Sequence, residues 1–231
     1  TESNLNLPEK ISYDEAKILV PSSWYNEVDE KLDDMYGFKP FCINDYPTKW
    51  NDAKTAVLHR EFSLPSSQKG KRVFLNIKSV GQMARVFIND KFVCDWDEMF
   101  LPLSVDISDF VNFNSKNDIK VVCTNFESTL APNGQKKSTG LIGSWYGFIA
   151  RGIWNDIYLE FLPFIRVSDT TVRTSVKNRK LTVISEITNN TKNPINVHIR
   201  YTVLNKDGKA VKEFSSEKIE VKSNAPVSEE T

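Results

Sequence analysis

The chain has 231 residues, 40% hydrophobic and 26% charged, with 30 basic side chains against 30 acidic ones. This is the composition of a folded chain, not of a disordered or collagenous one. Its zero formal net charge gives no global field for gathering a nucleic-acid backbone or an anionic lipid surface, so neither is expected as a partner. No apolar run approaches the roughly 18 residues that a membrane-spanning helix needs.

The two histidines, His59 and His198, lie far apart in sequence and argue against a histidine-rich zinc site. The three cysteines, Cys42, Cys94 and Cys123, follow no CxxC spacing. Cys94 and Cys123 fall in strand-like apolar runs, which reads as buried thiols, with a disulfide as the alternative. No metal or other cofactor is expected. No signal peptide is visible. A chain that opens on Thr1 fits either a removed leader or a trimmed sequence. The first reading favours a periplasmic or secreted protein, with a cytoplasmic one as the alternative.

Residues 1–50 are irregular. A short strand or turn is expected within 11–20. An acidic helical turn or two is expected over 26–35, with Val28 and Leu32 on one face. An ordered aromatic loop is expected over 40–50. From residue 55 the period becomes two. Ala56 and Leu58 alternate with Val57 and His59; Val73, Leu75 and Ile77 share a face; Ala84, Val86 and Ile88 repeat the pattern. Asn89-Asp90-Lys91 is a turn, after which Phe92, Cys94 and Trp96 resume the alternation as the second arm of a hairpin. Short strands follow at Leu103, Val105 and Ile107 and at Ile119, Val121 and Cys123. Residues 127–139 read as a polar surface loop. A Gly- and aromatic-rich stretch then leads to a strand carrying Ile157, Leu159 and Phe161, which Pro163 ends.

Composition shifts near residue 165 from aromatics towards Thr, Asn, Val and Lys. Val183, Ser185 and Ile187 alternate with Ile184 and Glu186. Ile195, Val197, Ile199, Tyr201 and Val203 read as one long strand. Lys206-Asp207-Gly208-Lys209 is a hairpin turn, and Ile219 and Val221 end the recognisable strands. Four or five strands are expected here, against about seven in a complete immunoglobulin-like sandwich. The expectation is an all-β chain with two domains, 1–164 and 165–231, the second one cut short.

Several segments, in order, resemble one family. They are Val20-Pro21-Ser22-Ser23-Trp24, Arg60-Glu61-Phe62-Ser63-Leu64-Pro65, Gly70-Lys71-Arg72-Val73-Phe74-Leu75, the stretch from Ala84 to Val93, and Leu103 to Ser108. Above all there is Arg151-Gly152-Ile153-Trp154-Asn155-Asp156, followed by Ile157-Tyr158-Leu159. Together they resemble the front end of glycoside hydrolase family 2, which holds β-galactosidases, β-glucuronidases and β-mannosidases. The resemblance implies a galactose-binding-like jelly roll followed by an immunoglobulin-like sandwich. It also implies that both catalytic carboxylates lie in a later (β/α)₈ barrel missing from these residues, so no catalytic residue is assigned.

The aromatics Trp96, Phe100, Trp145, Tyr146 and Phe148 are candidates for contact with a carbohydrate or with the missing catalytic domain, with local packing as the bland alternative. Trp154 reads as core or interdomain packing. Asp95, Asp97 and Glu98 read as a solvated loop, with calcium or sugar contact as alternatives. Asn189-Asn190-Thr191 matches a glycosylation sequon by pattern alone. The functional expectation is a non-catalytic front portion of a family 2 glycosidase. The alternatives are a stand-alone carbohydrate-binding module and a structural adhesion protein.

Overall fold

The computed structural model describes residues 7, 11–24, 46–53, 55–81, 83–98, 100–124 and 151–230. The expected helical turn at 26–35, Cys42, the loop at 127–139, and Trp145, Tyr146 and Phe148 lie outside the described residues. The described residues contain no α-helix, only 3₁₀ turns at Thr48–Trp50 and Ser66–Gln68. The chain forms two compact units, Thr1–Phe161 and Leu162–Thr231.

The first unit contains β1 (Thr55–Phe62), β2 (Arg72–Ile77), β3 (Met83–Ile88), β4 (Lys91–Trp96), β5 (Leu103–Asp106), β6 (Asn117–Thr124) and β7 (Ile157–Leu162). They make one sheet in the order β1-β6-β3-β4 and another in the order β5-β2-β7. Alternation places Val73, Leu75 and Ile77 of β2 against Ala84, Val86 and Ile88 of β3 and Val121 and Cys123 of β6, all buried in one apolar cluster. This is the interior of a β-sandwich, where each sheet covers the apolar face of the other. Of the alternating side chains, Val86, Ile88, Ile107 and Val121 are buried, while Val105, Ile157 and Leu159 are half-buried against the same cluster.

The β3–β4 hairpin turns through Asn89 and Asp90, both with positive φ (51° and 62°). These are the two residue types that tolerate the left-handed conformation best after glycine. Asn89 is also fixed by its side chain. Its Nδ2 donates to the carbonyl of Phe110 and to Asn117 Oδ1, and its Oδ1 accepts from the N–H of Asp118.

Phe92 does not share a face with Cys94 and Trp96. Opposite Val86 stands Cys94, but opposite Phe87 stands Phe92, so Val93 is an extra residue in β4. The bulge turns Phe92 outwards, where its ring meets Phe87 edge-on.

The second unit contains β8 (Ile165–Ser175), β9 (Lys180–Asn189), β10 (Ile195–Val197), β11 (Arg200–Leu204), β12 (Ala210–Ser215), β13 (Ile219–Val221) and β14 (Val227–Glu230). Its sheets are β14-β9-β8, β10-β13 and β11-β12. Its core is small: Ile187, Ile219 and Val221, with Ile195, Val197, Ile199 and Val227 packed around them. The unit has seven strands where four or five were expected. The long alternating run from Ile195 to Val203 is two strands in different sheets, because Ser216 interrupts the pairing. Its hydroxyl accepts the N–H of Ile199 and its own N–H donates to the Ile199 carbonyl, both at 2.9 Å.

Replacing Ile88 by Ala should cost about 2–4 kcal/mol, since a filled interior position loses transfer energy and leaves a cavity. The same truncation at Val172, 58% exposed on β8, should stay within about 0.5 kcal/mol. Urea denaturation of both variants checks the register.

Candidate functional site

The family-like motif at 151–156 forms a backbone clasp. The N–H of Ser22 donates to the carbonyl of Ile153 at 2.8 Å and that of Trp24 to the carbonyl of Arg151 at 3.2 Å. The N–H of Arg151 donates to the hydroxyl of Ser23 at 3.0 Å. On the other side, the N–H of Gly81 donates to the carbonyl of Gly152, and Val80 forms an antiparallel bridge with Ile153. The motif is therefore held between the 22–24 segment and residues 80–81, which follow β2.

Gly152 is required on two counts. Its φ is +97°, and a Cβ there would stand 2.9 Å from Cε3 of Trp24. The indole of Trp24 lies across the glycine, 3% exposed, within the first core. Its Nε1 donates to the carbonyl of Ala53. The guanidinium of Arg151 is buried beside it, with Nη1 donating to the carbonyls of Asn51 at 2.6 Å and Ala53 at 3.2 Å. The short motifs at 20–24 and 151–156 were both visible in the sequence; that they pair with each other was not.

Trp154 is half-buried, and its Nε1 is enclosed with no acceptor among the described residues. Asn155 and Asp156 are exposed. Oδ1 of Asn155 accepts the N–H of Asp156, whose carbonyl in turn accepts that of Lys78. Arg151, Gly152 and Ile153 are buried in the fold, and Asn155 and Asp156 are the exposed polar side chains of the motif.

The aromatic candidates divide. Trp96 is the last residue of β4, half-buried against the first core rather than free in a loop. Its Nε1 donates to the carbonyls of Glu98 and Leu101, which pins the loop after β4. That loop carries Phe100 and Leu101 outwards, 64% and 56% exposed. Asp95 is held by Arg85, Nε to Oδ1 at 2.6 Å and Nη2 to Oδ2 at 2.8 Å, in a fork-to-carboxylate pair. Among the described residues no group of three metal-ligating side chains is found.

The thiols of Cys94 and Cys123 are free. Burial pushes Cys123 up to about 12, and burial together with the neighbouring charge of Asp95 pushes Cys94 up to about 11. The sequon asparagine, Asn189, is fully buried, with Nδ2 donating to the carbonyls of Asn193 and Val221. It cannot carry a glycan in the folded chain.

A two-sheet sandwich closed by such a clasp and followed by a second β unit defines a tandem all-β architecture. The model of the family described as glycosyl hydrolase 2 galactose-binding domain-like matches residues 20–145, and the chain belongs to that family. It is 30% identical over 127 residues to a β-glucuronidase of Formosa agariphila, covering 54% of this chain and 12% of that protein. It is 24% identical over 141 residues to a β-galactosidase of Thermoanaerobacter pseudethanolicus, covering 56% and 19%.

Among solved structures, a family 2 β-glucuronidase superposes with a TM-score of 0.63 at 22% identity, over 77% of this chain and 20% of that one. The β-glucuronidase of Ruminococcus gnavus in complex with D-glucuronic acid gives 0.58 at 20%, over 96% and 36%. At such identities these structures establish the fold. The chain spans 12–19% of the length of the curated relatives it matches.

Gly152→Ala should destabilise the chain by clearly more than Gly208→Ala. Gly208 also has a positive φ (76°), but a Cβ there would meet nothing within 4 Å. The second variant carries only the left-handed penalty of about 1–2 kcal/mol; the first adds the collision with Trp24. Thermal denaturation of the two compares them directly.

The thiols set an alkaline limit. Their folded pKa values stand above the ordinary 9.0, so the native state holds protons that the unfolded chain releases. That contribution is complete below pH 9 and is lost as pH rises through about 11 and about 12. Denaturation midpoints between pH 9 and 12 should therefore fall less steeply for Cys123→Ala than for the unaltered chain.

Proposed function

We propose that this chain is a non-catalytic sandwich portion of a family 2 glycoside hydrolase, bracing a catalytic barrel and walling one side of its pocket. The observation that carries the reading is the family match over residues 20–145 in a chain that covers only 12–19% of its relatives. The chemistry of the described residues agrees. Retaining glycosidases need two carboxylates about 5–5.5 Å apart, acting separately as acid and nucleophile. Here Asp90 and Asp118 share Lys120, and Asp106 and Asp109 share Arg72. Each of these pairs is held by ion pairs to a shared cation.

The pinned loop after β4 is the part offered to the partner. A rigid loop that presents two adjacent apolar side chains is the kind of anchor around which interfaces form. A stand-alone carbohydrate-binding module is the second reading, and the same exposed Phe100 is what favours it.

The pure 231-residue chain should release no nitrophenol from aryl β-glucuronides or β-galactosides above a no-protein control; turnover would overturn the proposal. Phe100→Ala should leave the isolated chain's denaturation midpoint within about 0.5 kcal/mol of the parent's. In the full-length enzyme it should lower activity or stability. Equal losses in both would return Phe100 to a local packing role, while unchanged full-length enzyme together with lost sugar binding would select the second reading.

A further inference from the structure

The outer face of the β1-β6-β3-β4 sheet carries a charge cluster that the proposed function does not use. His59 of β1 pairs through Nε2 with Asp118 Oδ2 of β6. The other oxygen of Asp118 accepts Lys120 Nζ at 2.5 Å, and Lys120 also reaches Asp90 Oδ1 of the β3–β4 turn at 2.7 Å. Glu61, further along β1, is occupied by Lys116 at 2.9 Å. Over the imidazole of His59 lies the ring of Tyr13, centroids 4.7 Å apart and planes within 25°. Tyr13 belongs to the segment 11–24, which runs on to the clasp. Beside it Asp14 binds Lys49 Nζ at 2.5 Å and Trp50 Nε1 at 3.2 Å, and the N–H of Leu19 donates to the hydroxyl of Tyr46.

We infer that His59 is a proton-operated fastener: its protonation tightens the 11–19 segment onto the sheet through Tyr13. With His59 neutral, the cluster holds two carboxylates, Asp90 and Asp118, against one ammonium, Lys120. One proton on His59 brings it to neutrality and makes the Asp118 contact a full ion pair. The same proton puts a cation under the face of Tyr13, where the ring quadrupole attracts it.

The surrounding groups hold their charge across the neutral range. Burial raises Tyr13 and keeps its phenol protonated. Burial alone would lower Lys120, but its hydrogen bonds to Asp118 and Asp90 carry it above its ordinary value. Bonding to Lys49, then to Trp50, holds Asp14 near 2, so it stays ionised. Histidine is the side chain whose ordinary titration falls between pH 5 and 8, and the chain has one other, His198, in the second unit.

Hydrogen–deuterium exchange of the 11–19 peptide, corrected for intrinsic rates, reads the effect at pH 7.5 and 5.5. The N–H of Leu19, bonded to the hydroxyl of Tyr46 outside the segment, reports opening. Protection should rise about threefold at the lower pH, the scale of an exposed cation–π contact. His59→Gln should abolish that rise, and so should Tyr13→Leu, which keeps an apolar cover and removes the π face. Protection that does not change with pH, or a rise that survives either substitution, overturns the inference.

Discussion

The structure of the first unit depends on one long-range contact, the backbone pairing of residues 22–24 with 151–153. The Arg151 amide bonds the Ser23 hydroxyl across a sequence separation of 128. Closing so long a loop costs chain entropy before any contact repays it. What repays it is a set of interactions that form together: the paired amides, the indole of Trp24 sealing the core, and a buried guanidinium on two carbonyls. Inside a protein such bonds are stronger than in water, and a partner left without them is costly. The clasp therefore behaves as a unit, in which Gly152 allows the close approach, Trp24 fills it and Arg151 satisfies the carbonyls that the approach buries.

The two units solve the same problem with different means. The first fills the space between two sheets with aliphatic side chains from β2, β3 and β6. The second has only three clustered buried apolar residues and relies on polar ones. Asn189 is wholly buried and bonds to Asn193, Val221 and both donors of Thr191; Ser185 Oγ accepts a hydrogen bond from the Tyr201 hydroxyl; Ser216 ties β10 and β11 to β12 and β13 through Ile199. Satisfied buried networks of this kind specify geometry more than they add stability. The second unit is thus the softer of the two by composition, while its strand pairing is sharply defined.

This difference also governs what the sequence could reveal. Where burial drives alternation, as at Val73-Leu75-Ile77 and Ala84-Val86-Ile88, the inward face was legible residue by residue. Where hydrogen bonding decides, it was not. The extra residue Val93 leaves the β4 pattern intact to the eye yet turns Phe92 outwards. Ser216, a distant residue, splits the clean run from Ile195 to Val203. β8 passed unread because both its faces are largely exposed and it contains the polar run Ser168-Asp169-Thr170-Thr171; period two marks a strand only when one face is dry. At the site, the motifs at 20–24 and 151–156 were legible as strings, but their pairing is tertiary and leaves no local trace.

The motif at 151–156, the strongest element of the family resemblance, is therefore consumed by the fold. Arg151, Gly152 and Ile153 are buried and committed to backbone partners, and Trp24 is committed to them in turn. Residues used in this way cannot also bind a ligand without opening the sandwich. Any recognition by this unit must fall to side chains that the clasp and the core leave outside, on loops whose shape the sandwich fixes. The loop after β4 meets that description, because Trp96 anchors it from within through two carbonyls while Phe100 and Leu101 face outwards. Rigid support beneath an apolar tip lowers the ordering cost of association. The motif's part is thus structural: it holds the sandwich closed around its core.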